Sequence, residues 1–171
     1  MSGDDVFPDR DMSHRDKIVF MLEREGWAMD AVPTNADVDP PFPRYAYTIG
    51  FEDQFAFPEV CVVGLSPVAC RGLFDLLADA LLGGTELPIG AAFVGLLDDE
   101  QPCALLPLEA ASTAELFPSL TEHRVIAGDE PDAFEMVQLA WPDPRGVLPW
   151  EPGFAPELAT VQLLFAEPPA S

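Results

Sequence analysis

The side chains of this chain that carry reactive chemistry are few and poorly spaced for it. His14 and His123 are the only histidines, and neither has a second ligand at metal-binding spacing, so no histidine-based metal centre is expected. Lys17, the only lysine, lies in a charged amino-terminal stretch without a partner, which removes Schiff-base chemistry. Ser66 in GLSP (64–67) falls at a strand-to-helix turn, where a nucleophile elbow would put its serine. The elbow needs glycine two residues on, and Val68 stands there, so a helix cap accounts for the residue. Cys61, Cys70 and Cys103 are odd in number and form no C-x-x-C pair, which reads as buried free thiols in a reducing compartment. Asp98-Asp99-Glu100 and Asp129-Glu130 fall in turns, where solvated charge is the default use and nothing selects an acid–base or cation-binding pair. Neither a P-loop nor G-x-G-x-x-G occurs, so no catalytic residue, cofactor or metal is assigned.

What remains are two stretches in which large aromatics stand beside prolines and glycines, a combination that fixes one stiff local geometry. One is YAYTIGF (45–51), answered by PEVCVVGL (58–65). The other is QLAWPDPRGVLPWEPGF (138–154). In the second, Trp141 ends a strand, 143–146 form a turn with Arg145 at its tip, and 148–154 run extended through Trp150 to Phe154. Two uses are open: a lid over the sheet end with its indoles buried, or a recognition surface. Trp, Tyr and Arg are the types enriched in binding hot spots, so in the second use Trp141, Arg145 and Trp150 are the anchors. The segment then folds back beside the tyrosine strand, and Tyr45, Tyr47, Thr48, Glu59, Trp141, Asp143 and Arg145 are the residues expected to line a pocket between them.

The elements that must position these residues can be placed. Asp11 or Ser13 caps a helix that runs to about Glu25 with Ile18, Met21 and Leu22 as its apolar stripe, and Gly26 ends it. An extended piece begins at Trp27, and PTNADVDPPFPR (33–44) is an exposed proline-rich connection. Strands are expected over 45–51 and 59–64, joined by a long hairpin loop over 52–58; the second, apolar on successive positions, is covered on both faces. Ser66-Pro67 starts a helix with Ala69, Leu73, Leu76, Leu77, Ala80 and Leu81 at helical spacing, stopped by Gly83-Gly84. A second hairpin spans 91–97 and 103–108 around the DDEQP turn. Residues 113–122 are helix-like despite Pro118, and 134–141 and 160–165 read as strands. Hairpins with interspersed helices indicate an α+β single-domain sandwich, a mostly antiparallel sheet of about six strands with two or three helices on a face. Residues 1–10 read as a flexible acidic tail, 11–166 as the domain, and 167–171 as a flexible carboxy-terminal tail.

The 171 residues fit one domain that buries about 70% of its unfolded surface. Half are apolar and 22% charged, a globular composition. No apolar run is long enough to span a membrane, and the amino terminus has no secretory h-region, so a soluble cytoplasmic protein is expected. The charge is the outlier. Thirty acidic residues face eight basic ones, for a net −22. That field repels nucleic acid and anionic membrane and attracts a basic partner, although GC-rich coding or salt adaptation also produces such a composition.

Four segments carry a resemblance to a family: GWAMDAV (26–32), PPFPRYAYTIGF (40–51), FPEVCVVGL (57–65) and QLAWPDPRGVLPWEPGF. In this order and spacing the chain, over roughly 25–165, resembles the bacterial family catalogued as domain of unknown function 4262. Phe57 fills a slot in which many members carry histidine, so histidine-dependent chemistry does not transfer to this chain. The resemblance implies a cytoplasmic single-domain protein and supplies no activity. A fainter similarity, of arrangement only, links the strand–YT-x-G–loop–acidic-strand order to immunity-type domains related to suppressor of fused. The expected function is a non-catalytic acidic interaction module that docks a basic protein. A small-molecule binder or enzyme using the pocket above is one alternative, and a DNA-mimic inhibitor is another.

Overall fold

The computed structural model describes residues 13–169, so the expected tail over 1–10, Asp11 as a cap, and residues 170–171 lie outside the described residues. Helix α1 (His14–Glu25) is capped by the Ser13 hydroxyl, which accepts from the Asp16 amide at 3.1 Å, and ends at Gly26. Strands β1 (Ala28–Val32) and β2 (Tyr45–Ile49) pair antiparallel across the proline-rich connection, whose ends are tied by a bridge between Asn35 and Phe42. After the short helix α2 (Phe51–Phe55) comes β3 (Glu59–Val63), buried along its whole length. Helix α3 (Pro67–Leu82) has Ser66 as its cap and proline in its first turn. Strands β4 (Ala92–Phe93) and β5 (Cys103–Leu108) follow, then α4 (Ala110–Thr113), α5 (Pro118–Ile126), β6 (Met136–Ala140) and α6 (Pro156–Ala159).

One six-stranded sheet runs in the order β1-β2-β3-β6-β5-β4. Only the central β3–β6 pair is parallel, and the 72 residues between them carry α3, β4, β5 and α5. The fold is therefore α+β around a single, mostly antiparallel sheet, with more helices than the two or three expected. They cover both faces and not one. Side chains alternate across a pleated strand, and β2 shows the result. Ala46 packs with Trp27, Phe74, Leu77 and Trp141 on the α3 side. Tyr45, Tyr47 and Ile49 pack with Ile18, Phe117, Leu120 and Met136 under α1 and α5.

Several elements differ from expectation for identifiable reasons. The 52–58 loop contains α2, whose amino-terminal amides are satisfied from outside by Glu59 and not by a local cap. The 113–122 helix is split: α4 ends at Thr113, a 3-10 turn spans 114–116, and Pro118 opens α5, where its missing N–H is harmless. The 91–97 strand shrinks to two residues. Helix α3 buries Cys70, Phe74, Leu77 and Ala78, one position round from the expected stripe, and leaves Leu76 exposed, because this helix is apolar on most of its circumference.

No strand forms over 160–165, because side-chain amides replace its backbone partner. Gln138 Nε2 donates to the Leu163 carbonyl at 2.9 Å, and its Oε1 accepts from the Phe165 and Ala166 amides at 2.7 and 3.1 Å.

Candidate functional site

The aromatic–proline loop is organised around one carboxylate. Asp143 Oδ1 accepts from the amides of Arg145 (2.9 Å) and Val147 (3.0 Å), and Oδ2 accepts from the Ala155 amide at 3.0 Å. Burial works against its ionisation, but the amides of Val147, Ala155 and Arg145, with the Arg145 charge, outweigh it and hold the carboxyl below its usual range. Asp143 is thus the clamp that closes 143–155 into a loop. Arg145 leans back along that loop, donating through Nη2 to the Gly153 carbonyl, with its side chain largely exposed. Trp150 and Phe154 are half-buried. Trp141 is 9% exposed, and its indole N–H donates to the Val63 carbonyl at 2.8 Å.

Trp141 is not sealed off. It lines an open hollow of about 720 Å³ together with Leu65, Leu97, Leu158 and Val161, while Asp98, Asp99 and Asp143 supply carboxylates. Three segments meet here: the end of β3, the 98–100 turn and the loop with the strap that follows it. Gly64 lets the strap approach, since a Cβ there would stand 2.5 Å from the Val161 carbonyl oxygen, and its φ of +93° suits glycine alone. On the other side Gly146 packs against the turn, where a Cβ would come within 3.1 Å of the Gln101 Oε1. The turn itself is strained. Asp99 (φ 58°) and Glu100 (φ 53°) are consecutive non-glycine residues in the left-handed region, a conformation that concentrates at functional sites. The arrangement suits a cation with an aliphatic stem: Trp141 and leucine side chains supply an apolar wall, and Asp98 and Asp99, in no ion pair among the described residues, supply the charge, while the Asp143 carboxylate is already engaged.

The tyrosine strand does not contribute the opposite wall. Tyr45 and Tyr47 lie on the α1/α5 face of the sheet and Trp141 on the α3 face, so the pocket expected between them is not formed. Register decides this, because Tyr47 sits opposite Cys61, which pairs with Gln138, and Trp141 is three residues on, at the opposite pleat. Tyr45 donates to the Leu116 carbonyl at 2.6 Å, and burial, then the Asp30 charge, pushes its phenol up to about 12. Tyr47 donates to Asp30 Oδ2 at 2.6 Å and accepts from the Ser119 amide at 3.0 Å; burial and then Asp30 push its phenol far up.

Around Asp30 stands a serine, a histidine and a carboxylate, three residue types of hydrolytic relays. Ser119 Oγ donates to Asp30 Oδ2 at 2.6 Å, and His14 Nε2 lies 3.0 Å from Asp30 Oδ1 and 3.4 Å from Ser119 Oγ. A relay needs the serine and the carboxylate on different ring nitrogens. Here Nε2 faces both, and the serine proton is already committed to the carboxylate. The cluster ties α1, β1, β2 and α5 together.

Thr48 and Glu59 form the other buried polar pair. Glu59 Oε1 accepts from Thr48 Oγ1 (2.7 Å) and the Phe51 amide (3.0 Å); Oε2 accepts from the amides of Gly50 (3.1 Å) and Glu52 (3.2 Å). Burial pushes this carboxyl up to about 7, against the pull of Thr48 and the three amides. Arg124 approaches with Nη2 at 3.6 Å from Glu59 and 3.3 Å from Glu52, held by charge, since its Nε and Nη2 make no hydrogen bond among the described residues. Beside it, burial and then the Arg124 charge lower the His123 pKa, with Asp53 and Asp129 opposing.

The sequence named the loop with Trp141 and Asp143 as candidates and did not single out Asp30, Ser119, Arg124, Gln138 or Gln162, whose polar groups the structure buries or half-buries. Polar residues inside apolar strand runs, Asp30 in AMDAV and Gln138 in MVQLA, were the available signal; Arg124 offered none. Among the described residues no group of three or more His, Cys, Asp or Glu is placed to hold a metal ion, and no helix is long and apolar enough to cross a membrane.

Fold and site together define a single-sheet α+β protein in which Asp30, Thr48, Glu59, Gln138, Asp143 and Gln162 are engaged internally, Arg124 is held by charge, and the open hollow is acidic and aromatic. The chain belongs to the family described as Domain of unknown function (DUF4262), whose model matches residues 21–155. No curated protein and no solved structure matches it.

Proposed function

We propose that this protein is a non-catalytic acidic interaction module, of the partner-binding or immunity type, that docks a basic protein through the hollow beside Trp141. The observation that carries the reading is the juxtaposition of a tryptophan with Asp98 and Asp99 on a strained turn, in an open hollow with leucine walls. A lysine or arginine of the partner lays its stem on Leu65, Leu97 and Leu158 and brings its head to the two aspartates. The net charge of −22 speeds encounter with such a partner. The groups typed for chemistry support the non-catalytic reading: Glu59, Asp143, Asp30 and Ser119 are engaged in internal hydrogen bonds, and the three thiols are free and buried. Free thiols and the family resemblance support a bacterial cytoplasmic setting. Exposed acids stand on α1 (Asp16, Glu23), α3 (Asp75, Asp79), the 98–100 turn and the 129–135 segment. That spread favours a module with one docking point over a DNA mimic, which needs its carboxylates along one face.

Titrating a hexalysine peptide into isotope-labelled protein at low salt tests this. Saturable amide shifts centred on Asp98, Asp99, Trp141 and Val161 are expected. Small shifts spread evenly over the acidic surface would remove the site.

A further inference from the structure

A second concave region has the opposite electrostatic character. Arg44, exposed at the start of β2, lines a hollow of about 300 Å³ with Ala31, Val32, Thr34 and Leu65, and also a hollow of about 470 Å³ with Pro40, Pro43 and Val161. No carboxylate lines either one, in a chain with thirty acidic residues. The hollow between α1 and α5 contains Glu122, the one beside the carboxy-terminal strap contains Glu109 and Glu167, and that of Trp141 contains three aspartates.

Arg44 is also distinguished by its pairing. Arg15 is paired with Glu122, Arg71 with Glu25 and Asp75, Arg124 with Glu52, and Arg145 with Asp143. Arg44 makes no ion pair among the described residues. Lys17 and Arg24 make none among the described residues either, but they stand on α1 and in neither hollow. The backbone that carries Arg44 is fixed: its carbonyl accepts from the Gly64 amide at 2.8 Å, and the proline loop before it is closed by two 2.9 Å bonds between Asn35 and Phe42.

We propose that Arg44 anchors a binding site for a small organic carboxylate with an apolar body, seated where the two hollows meet. A guanidinium presents two parallel N–H donors that match a carboxylate, and a carboxylate carries the single charge that one arginine balances. A phosphate dianion would want a second cation, and none lines either hollow. Walls of valine, alanine, leucine and proline select an apolar body over a polar one. The site adjoins the acidic hollow, sharing Gly64, Leu65 and Val161 with it, but its charge comes from Arg44, which the acidic hollow lacks; loss of benzoate binding in Arg44→Gln therefore tests it separately from hexalysine binding at Asp98 and Asp99.

Benzoate is a suitable probe, with benzamide as its neutral isostere and inorganic phosphate as the competing anion. By NMR titration, benzoate should bind saturably, with a dissociation constant on the order of 1 mM and shifts at the Arg44 side-chain N–H and the Ala46 and Leu65 amides. Benzamide should produce no saturable shift. Arg44→Gln should weaken benzoate binding by about tenfold or more while leaving the thermal midpoint unchanged, because the side chain is exposed. Arg44→Lys should retain part of the affinity. The proposal is overturned if benzoate does not saturate, if benzamide binds as well, if Arg44→Gln binds benzoate like the wild type, or if phosphate binds more tightly than benzoate.

Discussion

The side-chain amide of Gln162 is bonded to both backbone groups of Trp141: its Oε1 accepts from the Trp141 N–H and its Nε2 donates to the Trp141 carbonyl, each at 2.8 Å. One glutamine therefore does for Trp141 what a neighbouring strand does for a residue inside a sheet, and it does so at 2% exposure. Replacing it by leucine leaves a buried donor and a buried acceptor unsatisfied, which costs about 2–4 kcal/mol. Gln162→Leu should lower the chemical-denaturation midpoint accordingly and free Val161 from the hollow wall. Unchanged stability would mean that Trp141 is positioned by packing alone.

Glu59 should be the most sensitive polar position in the molecule. Leucine in its place leaves the Thr48 hydroxyl and the Gly50, Phe51 and Glu52 amides without their acceptor, so Glu59→Leu should lose about 3 kcal/mol and loosen α2, whose amino terminus has no side-chain cap of its own. Hydrogen exchange at the Gly50, Phe51 and Glu52 amides reads this directly; protection equal to the wild type would contradict it.

The same carboxyl gives a pH dependence of definite sign. Its pKa is raised from 4.5 to about 7, so between those values the folded state holds a proton that the unfolded state has released. The corresponding stability is fully present below 4.5 and is lost as pH rises through about 7. Stability measured from pH 5 to 8 should decline in the wild type, and this component should vanish in Glu59→Gln. Asp143 behaves in the opposite way. Its pKa is lowered, so its contribution is present above 3.8 and is lost as pH falls further, when the loop amides of Val147 and Ala155 lose their ionised acceptor.

Tyr47→Phe separates structure from chemistry in the Asp30 cluster. It removes the buried donor to Asp30 and the acceptor for the half-buried Ser119 amide, and should cost about 1–3 kcal/mol. Ser119→Ala should cost less, since Tyr47 and His14 still face Asp30. Thermal melts of both variants check the order; a reversal would show that Ser119 carries the α5 contact.

Local signals in the chain foretold much of this fold. Ser13 and Ser66 mark helix starts because a hydroxyl cap acts within three residues; β2 stood out by its aromatic run, β3 by consecutive apolar residues and β6 by alternation. The elements that escaped are those whose backbone partners come from far away: α2 is capped by a carboxylate on the next strand, and 160–166 is held by Gln138 of β6 and by its own Gln162, which bonds the Trp141 backbone. That the loop turns at 143–146 could be read from residue types, while burial or exposure of its indoles stayed open. Its opposite wall could not be read, because which face Tyr47 and Trp141 occupy depends on sheet register across β3, and no local pattern encodes it. The Asp98–Asp99 turn reads as solvated charge from the sequence, and that it lines one hollow with Trp141 depends on tertiary contacts between distant segments.

Charge-matched variants compared by calorimetry against hexalysine test the docking surface most directly. Asp98→Asn with Asp99→Asn removes two charges inside the hollow; Asp79→Asn with Glu86→Gln removes two exposed charges elsewhere. The account predicts about a tenfold loss of affinity for the first pair and less than twofold for the second. Equal losses from both pairs would mean that the peptide sees only the net charge, and that Trp141 and its aspartates form no site.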